Sequence, residues 1–181
     1  MRRIQCPKLV ALLVSIVALG AVAAEAPAKF KVSEFNFSRP ENWEWVDVAG
    51  SPMRKAQLKI NGKNKGESAE VVFYYFGEGG AGGTQANVDR WFKQFEEPKE
   101  KINPKSEEVT IGKHKVTFVQ AEGTYKNGMP GGPSTPQPNS MLLGAILEGD
   151  QGSVFIKLTG PAVLVKASQD SFKKMVRSAV E

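Results

Sequence analysis

A glycine-rich segment, GEGGAG at positions 77–82, has the clearest pattern for chemistry. It matches G-x-G-x-x-G between a predicted strand and a predicted helix, the setting in which backbone N–H groups bind a dinucleotide. However, Gly83 stands where a P-loop has its lysine, and a proline-broken charged segment, PKEKINPKSEE, follows the predicted helix in place of a second parallel strand. We therefore predict a turn without a nucleotide cofactor; a weak anion site at the start of the helix is the alternative.

Histidine and cysteine chemistry is nearly absent from the chain, which has one residue of each type. His114 falls at a polar turn, and Cys6 lies near the N-terminus. Zinc sites need several such ligands, and a Ser-His-Asp triad needs a histidine with partners. The carboxylates are scattered, with no pair whose spacing stands out. We therefore expect no catalytic residues, no metal, no cofactor and no enzymatic activity, with carboxylate-based catalysis as the alternative.

The N-terminus has the pattern of a secretory signal peptide. The basic MRRIQCPK precedes an apolar run of about sixteen residues, and Val22-Ala23-Ala24 presents small residues to a signal peptidase. The run is short for a membrane span, which needs about 20 residues, so an uncleaved anchor is the weaker alternative. We predict a signal peptide at 1–24, cleavage after Ala24 and a periplasmic or extracellular location.

Cleavage changes the charge of the chain. Losing Arg2, Arg3 and Lys8 lowers the basic residues from 24 to 21 against 19 acidic residues, so the net charge falls from +5 to about +2. Cys6 leaves with the same segment, which excludes a disulfide in the mature chain. No basic patch indicates a nucleic-acid partner, and no membrane span is expected after cleavage.

A strand and a helix organise the centre of the chain. AEVVFYYF at 69–76 is apolar on both faces, which predicts a strand covered on both sides. TQANVDRWFKQFEE at 84–97 predicts a helix, with Thr84 as its N-cap. Its apolar stripe has the spacing i, i+3, i+4, i+7 and consists of Val88, Trp91, Phe92 and Phe95.

The remaining segments predict three strands, the helix, four strands and a final helix that begins at Pro161. Residues 25–34 are expected to be a flexible lead-in, and residues 35–181 a single domain. Tight turns between consecutive strands favour an antiparallel sheet of about six to seven strands. The predicted class is α+β, with helices on both faces in a three-layer α/β/α sandwich.

A proline- and glycine-rich segment at 127–140, NGMPGGPSTPQPNS, is predicted to be a long loop. Long loops of this kind are either functional or disordered. The functional hypothesis makes the loop a contact for a protein partner, with Tyr125, Lys126 and Met129 as the candidate contact residues. The alternative is a tolerated disordered insertion.

Two segments, FNFSRPENWEW at 35–45 and VFIKLTGPAVLVKASQDSFKKMV at 154–176, resemble the PsbP-like family. That family includes an extrinsic subunit of photosystem II, a nuclear Ran-binding protein and small secreted bacterial proteins of unknown role. The resemblance implies a non-enzymatic binding or assembly-assisting module with an unidentified protein partner in the bacterial envelope. It carries over no site residues. A small-ligand binder is the alternative, which a deep pocket containing Trp45 or Tyr125 would favour.

Overall fold

The structure is a computed structural model that describes residues 26–128 and 132–181. The predicted signal peptide at 1–24 and Met129 lie outside the described residues. Within those two ranges, no helix has the length and apolar character that a membrane crossing requires.

Nine strands, three α-helices and one short 3₁₀ turn at 99–101 form the described chain. The bounds are β1 Lys29–Val32, β2 Phe35–Ser38, β3 Glu44–Val46, β4 Arg54–Asn61, β5 Ser68–Tyr75, α1 Thr84–Phe92, β6 Lys105–Ile111, β7 His114–Gly128, β8 Ser134–Leu147, β9 Val154–Pro161, α2 Ala162–Ala167 and α3 Gln169–Arg177.

Seven strands form one antiparallel sheet in the order β3-β4-β5-β9-β8-β7-β6, while β1 and β2 form a separate hairpin. The central strand β5 pairs antiparallel with β4 and with β9. Both neighbours of β5 are therefore antiparallel to it, whereas a dinucleotide-binding unit would need a parallel neighbour. The predicted α+β class and the antiparallel sheet of six to seven strands are confirmed.

The larger apolar cluster lies on the face of the sheet that contacts α2, α3 and the β1–β2 hairpin. Phe73 at its centre is fully buried and makes edge contacts with Phe30 and Phe37, whose ring centroids each lie 5.0 Å away. Phe172 of α3 and Ile156 of β9 belong to the same cluster. Because side chains alternate along a strand, every second residue of the central strands points into this core.

The smaller apolar cluster uses the alternate residues of the same strands. Val119 of β7 and Leu142 of β8 pack with Trp91 and Phe95. Gly144 of β8 leaves the space that the Trp91 ring occupies, since a Cβ there would overlap the indole. The apolar stripe predicted for 84–97 is therefore buried as expected.

The flexible lead-in predicted at 25–34 is wrong for residues 29–32, which form β1. β1 pairs with β2 from Lys29 opposite Ser38 to Val32 opposite Phe35. Phe30 of β1 stacks on Phe37 and meets Trp45 at a centroid distance of 5.2 Å. Those long-range contacts order a segment whose local composition indicates no structure.

The helix predicted at 84–97 ends at Phe92. Phe95 stays on the apolar side, but its backbone forms a β-bridge with Tyr125 instead of a further helical turn. The N-cap is Gly83 rather than Thr84. The Thr84 hydroxyl donates instead to the Glu148 carboxylate, 2.6 Å away. A long-range hydrogen bond therefore replaces the local N-cap that the sequence predicted.

The single C-terminal helix of the prediction is two helices, α2 and α3. They meet at Ser168, whose hydroxyl donates to the Leu164 carbonyl at 2.9 Å. Such a bond from serine to the preceding turn competes with regular helix geometry. The apolar residues of the two helices still face the core: Val165, Phe172, Met175 and Val176 are buried, whereas Ala167 is exposed.

Candidate functional site

The segment predicted as a long loop is mostly a two-stranded ribbon. Residues 123–128 of β7 pair with residues 134–140 of β8, beyond the point where β9 ends opposite Ser140. The predicted loop at 127–140 is therefore wrong over 134–140, and only a short connection at its tip separates the two strands. We call the paired residues 123–128 and 134–140 the ribbon.

Prolines fit this strand because their nitrogens face away from the partner. The Lys126 N–H donates outward to the Gln94 carbonyl at 2.8 Å, so Lys126 and the opposite Pro136 do not exchange ladder hydrogen bonds. Pro136 and Pro138 therefore remove N–H donors from the free edge of β8. An edge interrupted in this way resists the addition of another strand.

The other edge of the ribbon is occupied by the chain that follows α1. The Glu96 N–H donates to the Thr124 carbonyl at 2.9 Å. The Glu97 carboxylate accepts from the Thr124 N–H at 2.8 and 3.0 Å, and these hydrogen bonds lower the pKa of Glu97. The base of the ribbon is thereby fixed to the body of the protein, while residues 134–139 are exposed.

The three predicted contact residues have different positions. Tyr125 is only 7% exposed and packs on Phe95, so its ring is not a surface contact. Lys126 is half-buried at the base of the ribbon. Met129 lies outside the described residues. The structure therefore corrects the prediction for Tyr125, because the ring points into the smaller apolar cluster instead of toward solvent.

Tyr125 belongs to a polar cluster around Lys157, near the middle of β9. Lys157 Nζ donates to the Tyr125 hydroxyl at 2.8 Å and to Gln94 Oε1 at 2.9 Å. The Tyr125 hydroxyl donates to the same Gln94 oxygen at 3.0 Å. Lys157 Nζ also lies 5.5 Å from the centroid of the Tyr125 ring. We call Lys157, Tyr125 and Gln94 the lysine cluster.

Burial controls the protonation of this cluster. It lowers the pKa of Lys157 from its ordinary 10.5 to about 8; nearby Glu70 opposes that shift and Arg54 adds to it. Burial raises the pKa of Tyr125, and the proximity of Tyr74 and Glu70 adds to that effect. Tyr125 therefore stays protonated at neutral pH, while Lys157 begins to lose its proton just above it.

A second set of polar side chains, Glu70, Gln57 and Arg54, lies beside the lysine cluster on the same face of the sheet. Val72 is opposite Lys157, so Glu70 and Tyr74 are its diagonal neighbours. The Glu70 carboxylate accepts from Gln57 at 3.2 Å and forms an ion pair with Arg54 at 3.4 Å. Lys157 by contrast has no carboxylate within ion-pair distance in the described residues.

The sequence analysis did not identify Lys157. The signal that could have found it is a lone basic residue inside the apolar strand VFIKLTG, whose other residues are mostly buried. A charge on a central strand is costly unless it meets polar partners or solvent. Those partners, Gln94 and Tyr125, come from distant parts of the chain, so only the fold reveals them.

The other candidate residues have structural partners. His114 Nδ1 lies 3.0 Å from the Glu148 carbonyl, and its ring contacts Phe35 edge-on. The glycine-rich segment forms turns with positive φ at Gly77 and Gly79. The Glu148 carboxylate already sits at the start of α1, where the sequence allowed a weak anion site. Within 26–128 and 132–181, no cluster of three potential metal ligands occurs.

A pocket that joins Trp45 to Tyr125 is not formed. Trp45 packs against the larger apolar cluster, whereas Tyr125 belongs to the smaller one across the sheet. A shallow hollow of about 540 Å³ lies between residues 38–42 and α3, lined by Arg39, Lys174 and Met175 among others. The Arg39 guanidinium already donates hydrogen bonds to the backbone carbonyls of residues 26, 27 and 43.

No protein-family model matches the sequence, and no curated protein matches it either. Two solved structures are similar to this one. PsbP from the cyanobacterium Synechocystis matches with a TM-score of 0.53 at 12% identity, over 89% of this chain and 96% of that one. The fold is PsbP-like. A Pseudomonas aeruginosa protein of unknown function matches with a TM-score of 0.49 at 13% identity, over 84% of this chain and 95% of that one.

Proposed function

We propose that this PsbP-like protein is an exported, non-enzymatic binding module, and that its β7–β8 ribbon contacts a protein partner in the bacterial envelope. In this proposal the fold is a three-layer scaffold, with α1 on one face of the sheet and α2 and α3 on the other. The separation of the two apolar clusters onto alternate strand residues supports that arrangement.

The proposal rests on three properties of the ribbon: it is exposed along 134–139, it has no charged residue along 127–128 and 132–140, and both of its edges are closed. Both edges are closed, one by residues 94–96 and the other by Pro136 and Pro138. A pre-ordered, uncharged arm loses little conformational entropy on binding and offers its side chains rather than its backbone.

The sequence supports the other parts of the proposal. The N-terminal pattern of basic residues, apolar run and small residues is typical of exported proteins. The only histidine contacts a backbone carbonyl and a phenylalanine ring, an arrangement that suits a structural role.

The mass of the protein recovered from the cell envelope tests export. We expect Glu25 as the first residue, and an intact Met1 would contradict export.

The partner contact is tested with a photo-crosslinking amino acid placed at Thr135 in the ribbon. The matched control carries the same amino acid at Lys65, an exposed residue in the turn between β4 and β5. After irradiation of intact cells, we expect one discrete adduct of defined mass from position 135 and none from position 65. The protein component is identified by mass spectrometry.

The partner identified in the adduct is then purified separately, and its affinity for the wild-type protein is measured in solution. A variant in which the flexible linker Gly-Ser-Gly-Ser replaces residues 127–135 should lose that binding at least tenfold, because it lacks the part of the ribbon beyond Lys126 and Pro136 but keeps Tyr125. Equal adduct formation at both positions, or unchanged affinity of the shortened variant, rules out the ribbon as the contact.

A small-ligand binder is the second candidate function. The lysine cluster favours it, because a buried ammonium without a carboxylate partner is suited to an anionic group. Lys157 and Gln94 lie outside the ribbon and Tyr125 lies at its base, so a ribbon shortened beyond Lys126 keeps the lysine cluster and the two functions can be tested independently.

A further inference from the structure

The part of the sheet face beside α1 is lined largely by polar side chains that are partly exposed. α1 covers the β7 and β8 side, where Val119 and Ile146 are buried. Toward β5 and β4, the same face has Glu70 and Gln57, which are partly exposed. Lys157 lies at the boundary between the two parts, with apolar packing on one side and an accessible polar surface on the other.

Lys157 has an unused donor at this boundary. An ammonium group carries three N–H bonds, and Gln94 and Tyr125 accept two of them. No further acceptor for Lys157 occurs in the part of the chain that the structure describes. Both acceptors are neutral, so the positive charge is not neutralised by a partner, unlike that of Arg54, which is paired with Glu70.

Two aromatic side chains, Tyr74 and Phe76, lie further along the same face of the sheet. Tyr74 follows Val72 by two residues and therefore points to the same face as Lys157. The Phe76 ring is parallel to the Tyr74 ring at a centroid distance of 6.2 Å and is 43% exposed. An exposed aromatic ring on the same face as an ammonium without an ion-pair partner suits a ligand that combines an apolar body with one negative charge.

We propose that Lys157 is the anchor of a binding site for the carboxylate of a small organic acid, whose apolar part lies on Tyr74 and Phe76. The Lys157 ammonium donates its third hydrogen bond to the carboxylate. Arg54, which uses only one of its terminal nitrogens for Gln57 and Glu70, supplies further donors beside it. The site does not depend on the partner proposed for the ribbon.

Protonation of Lys157 gives the site a specific signature. Because the amine has a pKa of about 8, an anion that binds the charged form stabilises that form and raises its pKa. The groups that face Lys157 are Glu70 and Tyr74 from β5, Arg54 from β4 and Tyr125 from β7. Glu70 is held by Arg54 and Gln57, so it leaves the Lys157 charge available.

The test follows the Lys157 side chain by NMR in protein labelled with ¹³C-lysine, across pH 6 to 10. Sodium benzoate, acetate, phosphate and chloride are added separately at matched ionic strength. We expect benzoate to shift the Lys157 signal saturably and to raise its apparent pKa by about one unit, a tenfold preference for the charged amine. Acetate should act in the same direction more weakly, because it lacks the apolar body.

Three variants control the assignment. Phe76→Ala should reduce benzoate binding to the level of acetate, and Lys157→Met should abolish binding of both. Lys55→Met removes an exposed charge from β4 and should leave binding unchanged. The measurement on the wild-type protein does not depend on whether any variant folds.

Some results contradict the proposal. A shift of equal size with all four salts would indicate ionic strength alone. Phosphate binding at Lys157 that exceeds benzoate binding would make the site a phosphate site, and binding that survives in Lys157→Met would place it elsewhere. A Lys157 signal that no carboxylate moves would leave the lysine cluster a purely structural feature.

Discussion

The two faces of the sheet differ in how they are covered. The larger apolar cluster includes residues of α2, α3 and the β1–β2 hairpin, with Phe37, Phe73 and Phe172 at its centre. The smaller cluster combines residues of α1 with Phe95 and Ile102, which follow α1, and the strand residues beside this cluster become polar at Lys157. The same strands supply both faces through alternate residues.

Helix width explains the difference. A helix with its side chains is about 10–12 Å wide, and neighbouring strands lie about 4.8 Å apart, so one helix covers two to three strands. α1 can therefore cover only part of a seven-stranded sheet. The part beyond α1 has polar side chains together with Tyr74 and Phe76, and it is the surface on which we place the carboxylate site.

The largest expected effect is on the fully covered face. Phe73→Asp places an unpaired charge where the side chain is 0% exposed and should lower the free energy of unfolding by at least about 4 kcal/mol. Val163→Asp, at a residue 80% exposed, is the matched control and should change it by less than about 0.5 kcal/mol. Denaturant titration measures both, and equal effects would contradict the assignment of the core.

On the α1 face, Trp91→Ala should cost about 3–5 kcal/mol because it leaves a cavity against Gly144. The exposed Lys93→Ala is the control and should have little effect. If Trp91→Ala melts like the wild type, α1 does not cover this part of the sheet.

Gly144→Ala tests the same contact from the strand side. The added Cβ meets the Trp91 ring and should cost about 1–3 kcal/mol in the wild type. In the Trp91→Ala background the obstacle is gone, so the cost should fall below about 1 kcal/mol. Strictly additive effects of the two substitutions would show that Trp91 does not occupy the space above Gly144.

The lowered pKa of Lys157 predicts that the protein becomes more stable as the pH rises. Lys157 has a folded pKa of about 8 against an ordinary 10.5, so between these values the unfolded chain binds the proton more tightly. Stability is therefore lower below pH 8 and increases as pH rises above it. A shift of this size is worth at most about 3 kcal/mol, and the partial exposure of Lys157 reduces the expected gain to about 1–2 kcal/mol.

Urea titrations at pH 7 and pH 9.5 measure this gain, and Lys157→Met should remove it. Above pH 10 the raised pKa values of Tyr125 and Tyr74 act in the opposite sense, because the unfolded tyrosines lose their protons first. A wild-type stability that is flat from pH 7 to 9.5 would contradict the burial of the ammonium.

The smallest expected effect is that of shortening the ribbon. Replacing residues 127–135 with the flexible linker Gly-Ser-Gly-Ser joins Lys126 to Pro136 and keeps Tyr125 in the lysine cluster. Because residues 127–128 and 132–135 are exposed, the free energy of unfolding should change by less than about 1 kcal/mol. Tyr125→Ala is the contrasting variant and should cost about 3 kcal/mol or more, since it removes a buried ring. A large loss on shortening would mean that the outer ribbon supports the core.

The sequence by itself determined the class of the fold and most of the core. The alternation in AEVVFYYF placed Phe73 and Val72 on opposite, buried faces of a central strand. The helical spacing of Val88 and Trp91 fixed the side of α1 that packs on the sheet. These patterns are local, because a strand or helix must bury its apolar side whatever its neighbours are.

Only the tertiary structure decided where α1 ends, that 134–140 is a strand, and what surrounds Lys157. Phe95 continues the helical spacing but pairs with Tyr125, a residue 30 positions along the chain. Pro136 indicates a loop locally, yet its nitrogen faces away from β7. The Lys157 ammonium donates hydrogen bonds to Gln94 and Tyr125, and only the folded sheet brings these distant residues to it. Local patterns do not encode such contacts, because their energies arise only when distant segments meet.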